Sequence, residues 1–177
     1  MLPEVKVKSS QYLYYKKGYK YQTVTCDPLE TPEDWEVIRE YLEKNSFTNY
    51  TRNIAAVYDL RQYDIPYKFE EEYFVFVQGF LVVRVGYAWD GASGPAIDTP
   101  SFMRSSLIHD VLYQCHRQGL IPRDYRPISD RILKDVSKED GMSWIRRQWT
   151  YGAVRVFGYW SARTPKKIIR SPKGDRV

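Results

Sequence analysis

Two β-prone runs near the middle of the chain constrain its fold more than any other feature. Residues 72–77 and 80–85 are rich in β-branched and aromatic side chains, which pack well on a pleated surface. Gln78 and Gly79 separate the runs, and glycine accepts the positive φ that a two-residue turn requires. The sequence therefore predicts an antiparallel hairpin here.

The chain ahead of this hairpin is predicted to form further strands and one helix. Residues 11–15 and 19–25 are aromatic and β-branched and flank a Lys-Lys-Gly turn, which is typical of a second hairpin. A helix is predicted over residues 32–44, because Thr31 can cap it and a proline follows at once. Residues 53–58 fit either a strand or a helical turn.

Helical spacing replaces the strand pattern in the second half of the chain. Apolar residues recur on one helical face up to Cys115, with Ser101 placed to cap that helix. A second helix is predicted to begin at Ser129, and a third over residues 143–160, which we expect to pack against the sheet with Arg155 outside. Strands first and helices last predict an α+β fold, with N-terminal antiparallel strands or hairpins and a three-helix C-terminal half.

Three regions are expected within a single domain, as a chain of 177 residues suggests. Residues 1–71 form a variable N-terminal part with strands and one helix, and residues 72–160 form the core. Residues 161–177 form a basic, flexible tail, whose six Lys and Arg against one Asp account for the net charge of +5. Such a tail can touch an anionic surface, whereas no specific nucleic-acid binding is predicted.

Localisation is predicted from what the sequence lacks. The first residues carry no apolar run of a signal peptide, and no stretch approaches the roughly 20 apolar residues of a membrane span. The two cysteines lie far apart and indicate neither a disulfide framework nor a zinc motif. We therefore expect synthesis in the cytoplasm and no transmembrane segment.

The residues best arranged for chemistry lie on the first of the three C-terminal helices. His109 and Tyr113 are four residues apart and share a face, while Asp110 points about 100° away. An imidazole oriented by a carboxylate can act as a general base on water, and an adjacent carboxylate can hold a metal. Asp110 with backbone carbonyls of the loop at residues 87–95 would make the oxygen-rich site that calcium accepts.

Each of these residues also has a structural interpretation. His109 can be a core histidine that is satisfied by a partner. Asp130 can orient His109, or it can cap the helix that is predicted to begin beside it. Asp90 and Ser93 belong to a loop that turn chemistry alone explains, or that joins His109 in a buried polar network. His116 has no evident third ligand, so zinc is not predicted.

Four motifs together resemble a small domain-of-unknown-function family found mainly in tailed-phage and prophage genomes. They are Asp-Gly-Ala-Ser-Gly-Pro at 90–95, His-Asp-Val-Leu-Tyr at 109–113, Ser-Asp-Arg at 129–131 and Tyr-Gly-Ala-Val-Arg-Val-Phe-Gly at 151–158. The resemblance covers about residues 72–160. It implies a phage protein made in the host cytoplasm and incorporated into the virion, assembling with other phage structural proteins or with itself. It implies no activity.

The site pattern is also similar to that of secreted phospholipase A2, which joins a Gly-rich calcium loop to a His-Asp-x-x-Tyr helix and an aspartate on a neighbouring helix. This similarity implies His109 as the base, Asp130 as the acid that orients it and Tyr113 as a supporting group. The calcium ligands that it implies are Asp110 and the carbonyls of Trp89, Gly91 and Ser93.

The sequence therefore leaves two alternative functions open. The first is a virion or tail-associated structural protein of a tailed phage, in which a buried His-Asp network braces the fold. The alternative is a His-Asp hydrolase, assisted by calcium, that cleaves esters of lipid or of the cell envelope. The sequence carries no nucleotide, haem or redox cofactor signature.

Overall fold

The computed structural model describes residues 15–16, 21–24, 34–45, 47, 53–89, 91 and 99–161. The strands are β1 (Tyr15–Lys16), β2 (Tyr21–Thr23), β3 (Ile54–Asp59), β4 (Phe69–Glu71), β5 (Phe74–Val77), β6 (Phe80–Arg84) and β7 (Ala88–Trp89). The α-helices are α1 (Asp34–Lys44), α2 (Pro100–Gln118), α3 (Arg126–Glu139) and α4 (Trp144–Ser161). Strands precede the three C-terminal helices, which confirms the predicted α+β class.

The larger sheet is built around the predicted central hairpin. β5 and β6 pair antiparallel through the turn at Gln78 and Gly79, whose φ angles of 49° and 80° are both left-handed, as a two-residue hairpin turn requires. β3 pairs with β6, so residues 53–58 form a strand rather than a helical turn. The sheet order is β3-β6-β5-β4, and a smaller sheet has the order β1-β2-β7.

Both faces of the larger sheet are buried, which explains why its central strands are apolar at nearly every position. Phe76 and Leu81 on one face pack with Leu107 and Leu112 of α2. On the other face, the strands pack against Leu42 of α1 and its neighbours. The sheet therefore fixes α2, and α3 packs on α2 in turn.

Three sequence predictions about the helices are wrong. α2 begins at Pro100, so Ser101 lies inside the helix rather than capping it. α3 begins at Arg126 with Pro127 in its first turn, because a proline ring fits the start of a helix as well as the segment before one. Asp130 therefore lies within α3 and is not an N-cap. α4 is predicted to pack on the sheet, whereas its described contacts are with α3, where Val154 meets a cluster with Leu133.

Several predicted features lie outside the described residues. These are most of the N-terminal hairpin, the loop residues Asp90 and Ser93, and the basic tail beyond residue 161. Among the helices that the structure describes, none combines the length and hydropathy of a membrane span.

Candidate functional site

The buried carboxylate of Asp130 is the centre of a polar cluster between α2 and α3. His109 Nε2 lies 3.1 Å from its Oδ1 atom, and the Tyr113 hydroxyl donates to the same oxygen at 2.6 Å. The two α2 side chains are one turn apart, and their ring centroids are 4.0 Å apart. The structure thus brings together the three residues that the sequence predicts as base, supporting tyrosine and orienting acid.

Two residues of α4 complete the cluster. Arg155 Nη1 donates to Asp130 Oδ2 at 3.3 Å, so the second carboxylate oxygen is also bound. A Cβ atom on Gly158 would lie against the Tyr113 hydroxyl and 3.1 Å from two of its ring carbons, so only glycine allows α4 to approach this closely. The sequence places Arg155 on the outside of α4; its side chain is 38% exposed, and its guanidinium group also reaches inward to Asp130.

Electrostatics keep Asp130 ionised although its side chain is fully buried. Burial alone would raise its pKa, but hydrogen bonds from His109 and Tyr113, with the positive charge of Arg126 nearby, hold the pKa below its usual value. Burial and the neighbouring carboxylate raise the pKa of Tyr113, which therefore keeps its proton and remains a donor. A buried carboxylate is tolerable when its hydrogen bonds are satisfied in this way.

The bond to Asp130 determines the form of neutral His109. An ionised carboxylate can only accept, so Nε2 must carry the proton and the lone pair lies on Nδ1. Among the hydrogen bonds of the described residues, the one that His109 makes through its ring uses Nε2 and leaves Nδ1 unbonded. The His109 side chain retains 9% of its exposure. His109 is thus held in one orientation, and the lone pair on its Nδ1 accepts no hydrogen bond from a described residue.

The second histidine of α2 has a structural role. His116 Nδ1 donates to the Ile121 carbonyl at 3.2 Å, and the Ser129 hydroxyl lies 2.9 Å from Nε2. Burial lowers the pKa of His116, and the bond to the Ile121 carbonyl opposes this only in part. Both ring nitrogens are occupied, so His116 is a neutral core residue that ties α2 to the start of α3.

The predicted calcium ligands are only partly described. The Trp89 indole donates to Ser106 Oγ at 3.1 Å, which fixes the end of β7 against α2 and so positions the start of the loop. Gly91 is buried with a φ of 74°, and Asp110 is half-buried on α2 next to His109. Ser93 lies outside the described residues. One carboxylate with carbonyl oxygens is a donor set that suits calcium, and this assignment stays a prediction.

Other metal sites have no comparable support in the described part of the chain. No three His, Cys, Asp or Glu side chains lie close enough there to hold an ion. This finding does not bear on the predicted calcium site, which would use one carboxylate together with backbone carbonyls.

Comparison with known proteins gives one match. The model of a family described as "Protein of unknown function (DUF1353)" matches residues 65–154, just over half of the chain. The matched range contains His109, Tyr113 and Asp130 and ends one residue before Arg155. No curated protein matches, and no solved structure matches. The predicted resemblance to a domain-of-unknown-function family is confirmed to this extent.

Proposed function

The chain belongs to the DUF1353 family, whose description states no activity, and from its site we propose that it is a His-Asp hydrolase of ester bonds in lipid or cell-envelope material. One observation supports this most strongly. Asp130 binds Nε2 of His109, while Nδ1 forms no hydrogen bond to a described residue. A carboxylate on one imidazole nitrogen and an available lone pair on the other is the arrangement of a general base.

The reaction that fits this arrangement is attack of water on an ester. Nδ1 of His109 takes a proton from water while the water oxygen bonds to the carbonyl carbon. When the C–O bond to the alcohol breaks, the same proton passes from Nδ1 to the leaving oxygen, so the products are a carboxylic acid and an alcohol. Asp130 stays ionised and stabilises the imidazolium, and Tyr113 and Arg155 hold its two oxygens in place.

Calcium fits this proposal through the donor atoms at the neighbouring position. Asp110 and the carbonyls of Trp89, Gly91 and Ser93 are the residues that would hold it. A bound calcium ion would polarise the ester carbonyl and stabilise the negative charge that develops on it.

A hydrolysis assay with two histidine variants tests the proposal. Fatty-acid release from phosphatidylglycerol vesicles and from a soluble short-chain ester is measured with calcium and with a chelator. We expect His109→Asn to reduce the rate by roughly 10²–10⁴-fold. His116→Gln is the matched control, because His116 also lies buried on α2 but has both nitrogens bound within the core. Equal rates for wild type and His109→Asn would refute the proposal, provided that circular dichroism shows both to be folded.

The burial of the cluster favours a second candidate function. Asp130 is fully buried and is bound by residues of α2 and α4, as expected of a polar brace that fixes three helices. In this case the chain would be a virion or tail-associated phage component, made in the host cytoplasm and assembled with other structural proteins or with itself. Absence of hydrolysis by the folded wild type, together with a large stability loss in Asp130→Asn, would favour the brace.

A further inference from the structure

The face of α4 opposite α3 carries exposed apolar side chains. Ile145, Trp149 and Val156 are 76%, 50% and 65% exposed, and their spacings of four and seven residues place them on one side of the helix. Gly152 lies between them and is also exposed. We name these four residues the outer stripe. Trp144, 65% exposed, lies beside it at the start of the helix.

The outer stripe differs from other described side chains of α4, several of which pack against the protein. Val154 joins the cluster around Leu133, Thr150 is buried, and Lys134 of α3 lies over the Tyr151 ring. Exposure of tryptophan, isoleucine and valine to water in one row is energetically unfavourable. Such apolar patches usually mark a surface that binds a membrane or another protein.

The charge of this part of the chain indicates what that surface meets. From Met142 to Gly174 there is no Asp or Glu. The same segment contains eight basic residues, which are Arg146, Arg147, Arg155, Arg163, Lys166, Lys167, Arg170 and Lys173. An apolar helical face with tryptophan, within a long basic segment, has the composition of helices that lie in the surface of anionic membranes.

We propose that α4 docks on an anionic lipid bilayer. The outer stripe enters the boundary between head groups and acyl chains, and the net positive charge of the segment favours anionic lipid over neutral lipid. A second copy of the chain is a poorer occupant, because pairing two outer stripes would bring together two segments that each carry eight positive charges and no negative one. This surface is distinct from the His109 cluster and does not depend on hydrolysis.

Co-sedimentation with ether-linked vesicles tests the docking surface without interference from ester cleavage. Wild-type protein is mixed with vesicles of ether-linked phosphatidylcholine alone, or with ether-linked phosphatidylglycerol added. The test variant is Ile145→Ser with Val156→Ser, which removes apolar surface without changing the charge. The control is Gln62→Ser, an exposed uncharged position in the turn Arg61–Tyr63.

We expect wild type and Gln62→Ser to bind the anionic vesicles equally, and the double variant to bind on the order of tenfold more weakly. Added salt should weaken binding, since the basic residues act through charge. Equal binding by the double variant, equal binding to neutral vesicles, or no binding by wild type would each overturn the proposal. A wild-type dimer in sedimentation that the double variant dissociates would also overturn it, by assigning the stripe to a second copy.

Discussion

The close approach of Gly158 to Tyr113 predicts opposite effects of alanine at two glycines of α4. Gly158 and Gly152 both lie in α4, but their surroundings differ. A Cβ atom at Gly158 would meet the Tyr113 hydroxyl and two ring carbons, whereas a Cβ atom at Gly152 would have nothing within 4 Å. Alanine at the two positions therefore has opposite expected effects on stability.

The magnitudes follow from helix propensity and from packing. Replacing a helical glycine by alanine stabilises by about 0.5–1 kcal/mol through lost chain entropy in the unfolded state, and Gly152→Ala should show this gain in full. At Gly158 the added methyl group overpacks the site at a cost of about 1–3 kcal/mol. Displacing the Tyr113 hydroxyl also weakens a hydrogen bond to a charged group, worth about 1.5–3 kcal/mol. The two costs less the helix gain give a net expected loss of about 1.5–5.5 kcal/mol for Gly158→Ala, the upper end applying if the hydrogen bond is lost completely.

Thermal unfolding monitored by circular dichroism compares both variants with wild type. For a chain of this length each kcal/mol corresponds to about 2–4 °C in Tm. Relative to wild type, the Tm of Gly152→Ala should therefore rise by a few degrees, and that of Gly158→Ala should fall by several degrees. In a Tyr113→Phe background, which removes the hydroxyl, Gly158→Ala should cost less than in wild type. Stabilisation by Gly158→Ala equal to that by Gly152→Ala would refute the described packing of α4 on Tyr113.

Three further predictions concern charge and metal. The pKa of Asp130 is lowered in the folded protein. Ionised Asp130 therefore stabilises the fold above its unfolded pKa of about 3.9, and this stabilisation is lost as pH falls through the folded pKa. Asp130→Asn should cost about 3–5 kcal/mol of unfolding free energy at neutral pH and remove this acid dependence from urea unfolding. The pKa of His116 is also lowered, so the unfolded chain binds a proton more readily, and the free energy of unfolding should fall as pH drops below about 6.5. An unchanged pH dependence of that free energy in His116→Gln would contradict this. Calorimetric titration should show saturable calcium binding to wild type and none to Asp110→Asn, and equal binding would remove Asp110 from the ligand set.

The sequence predicted the parts of the fold that depend on local patterns. The hairpin at Gln78 and Gly79 follows from turn chemistry, and the helices follow from apolar spacing. The start of α3 was missed, since Pro127 can either end a segment or open a helix. That error made Asp130 look like a capping residue, although the structure places it inside α3 with its carboxylate buried.

Local helical geometry predicts only the part of the site that lies on one helix, and Asp130 on the next helix is indicated by the resemblance to phospholipase A2 instead. His109 and Tyr113 are four residues apart, so helical geometry alone places them together. Arg155 and Gly158 join them only because α4 packs on α3, which is a long-range contact that no local pattern encodes. An arginine and a glycine within an aromatic helix gave no local signal of a role at the site.

The most direct test of the proposed hydrolysis is to identify the oxygen that enters the product. Wild type and His109→Asn are incubated with an ester in water labelled with oxygen-18, and the acid and alcohol are analysed by mass spectrometry. If His109 activates water against the carbonyl carbon, wild type releases acid that carries the label and unlabelled alcohol, and His109→Asn releases far less of both. No acid above the uncatalysed background, label in the alcohol, or equal release by His109→Asn would contradict the account.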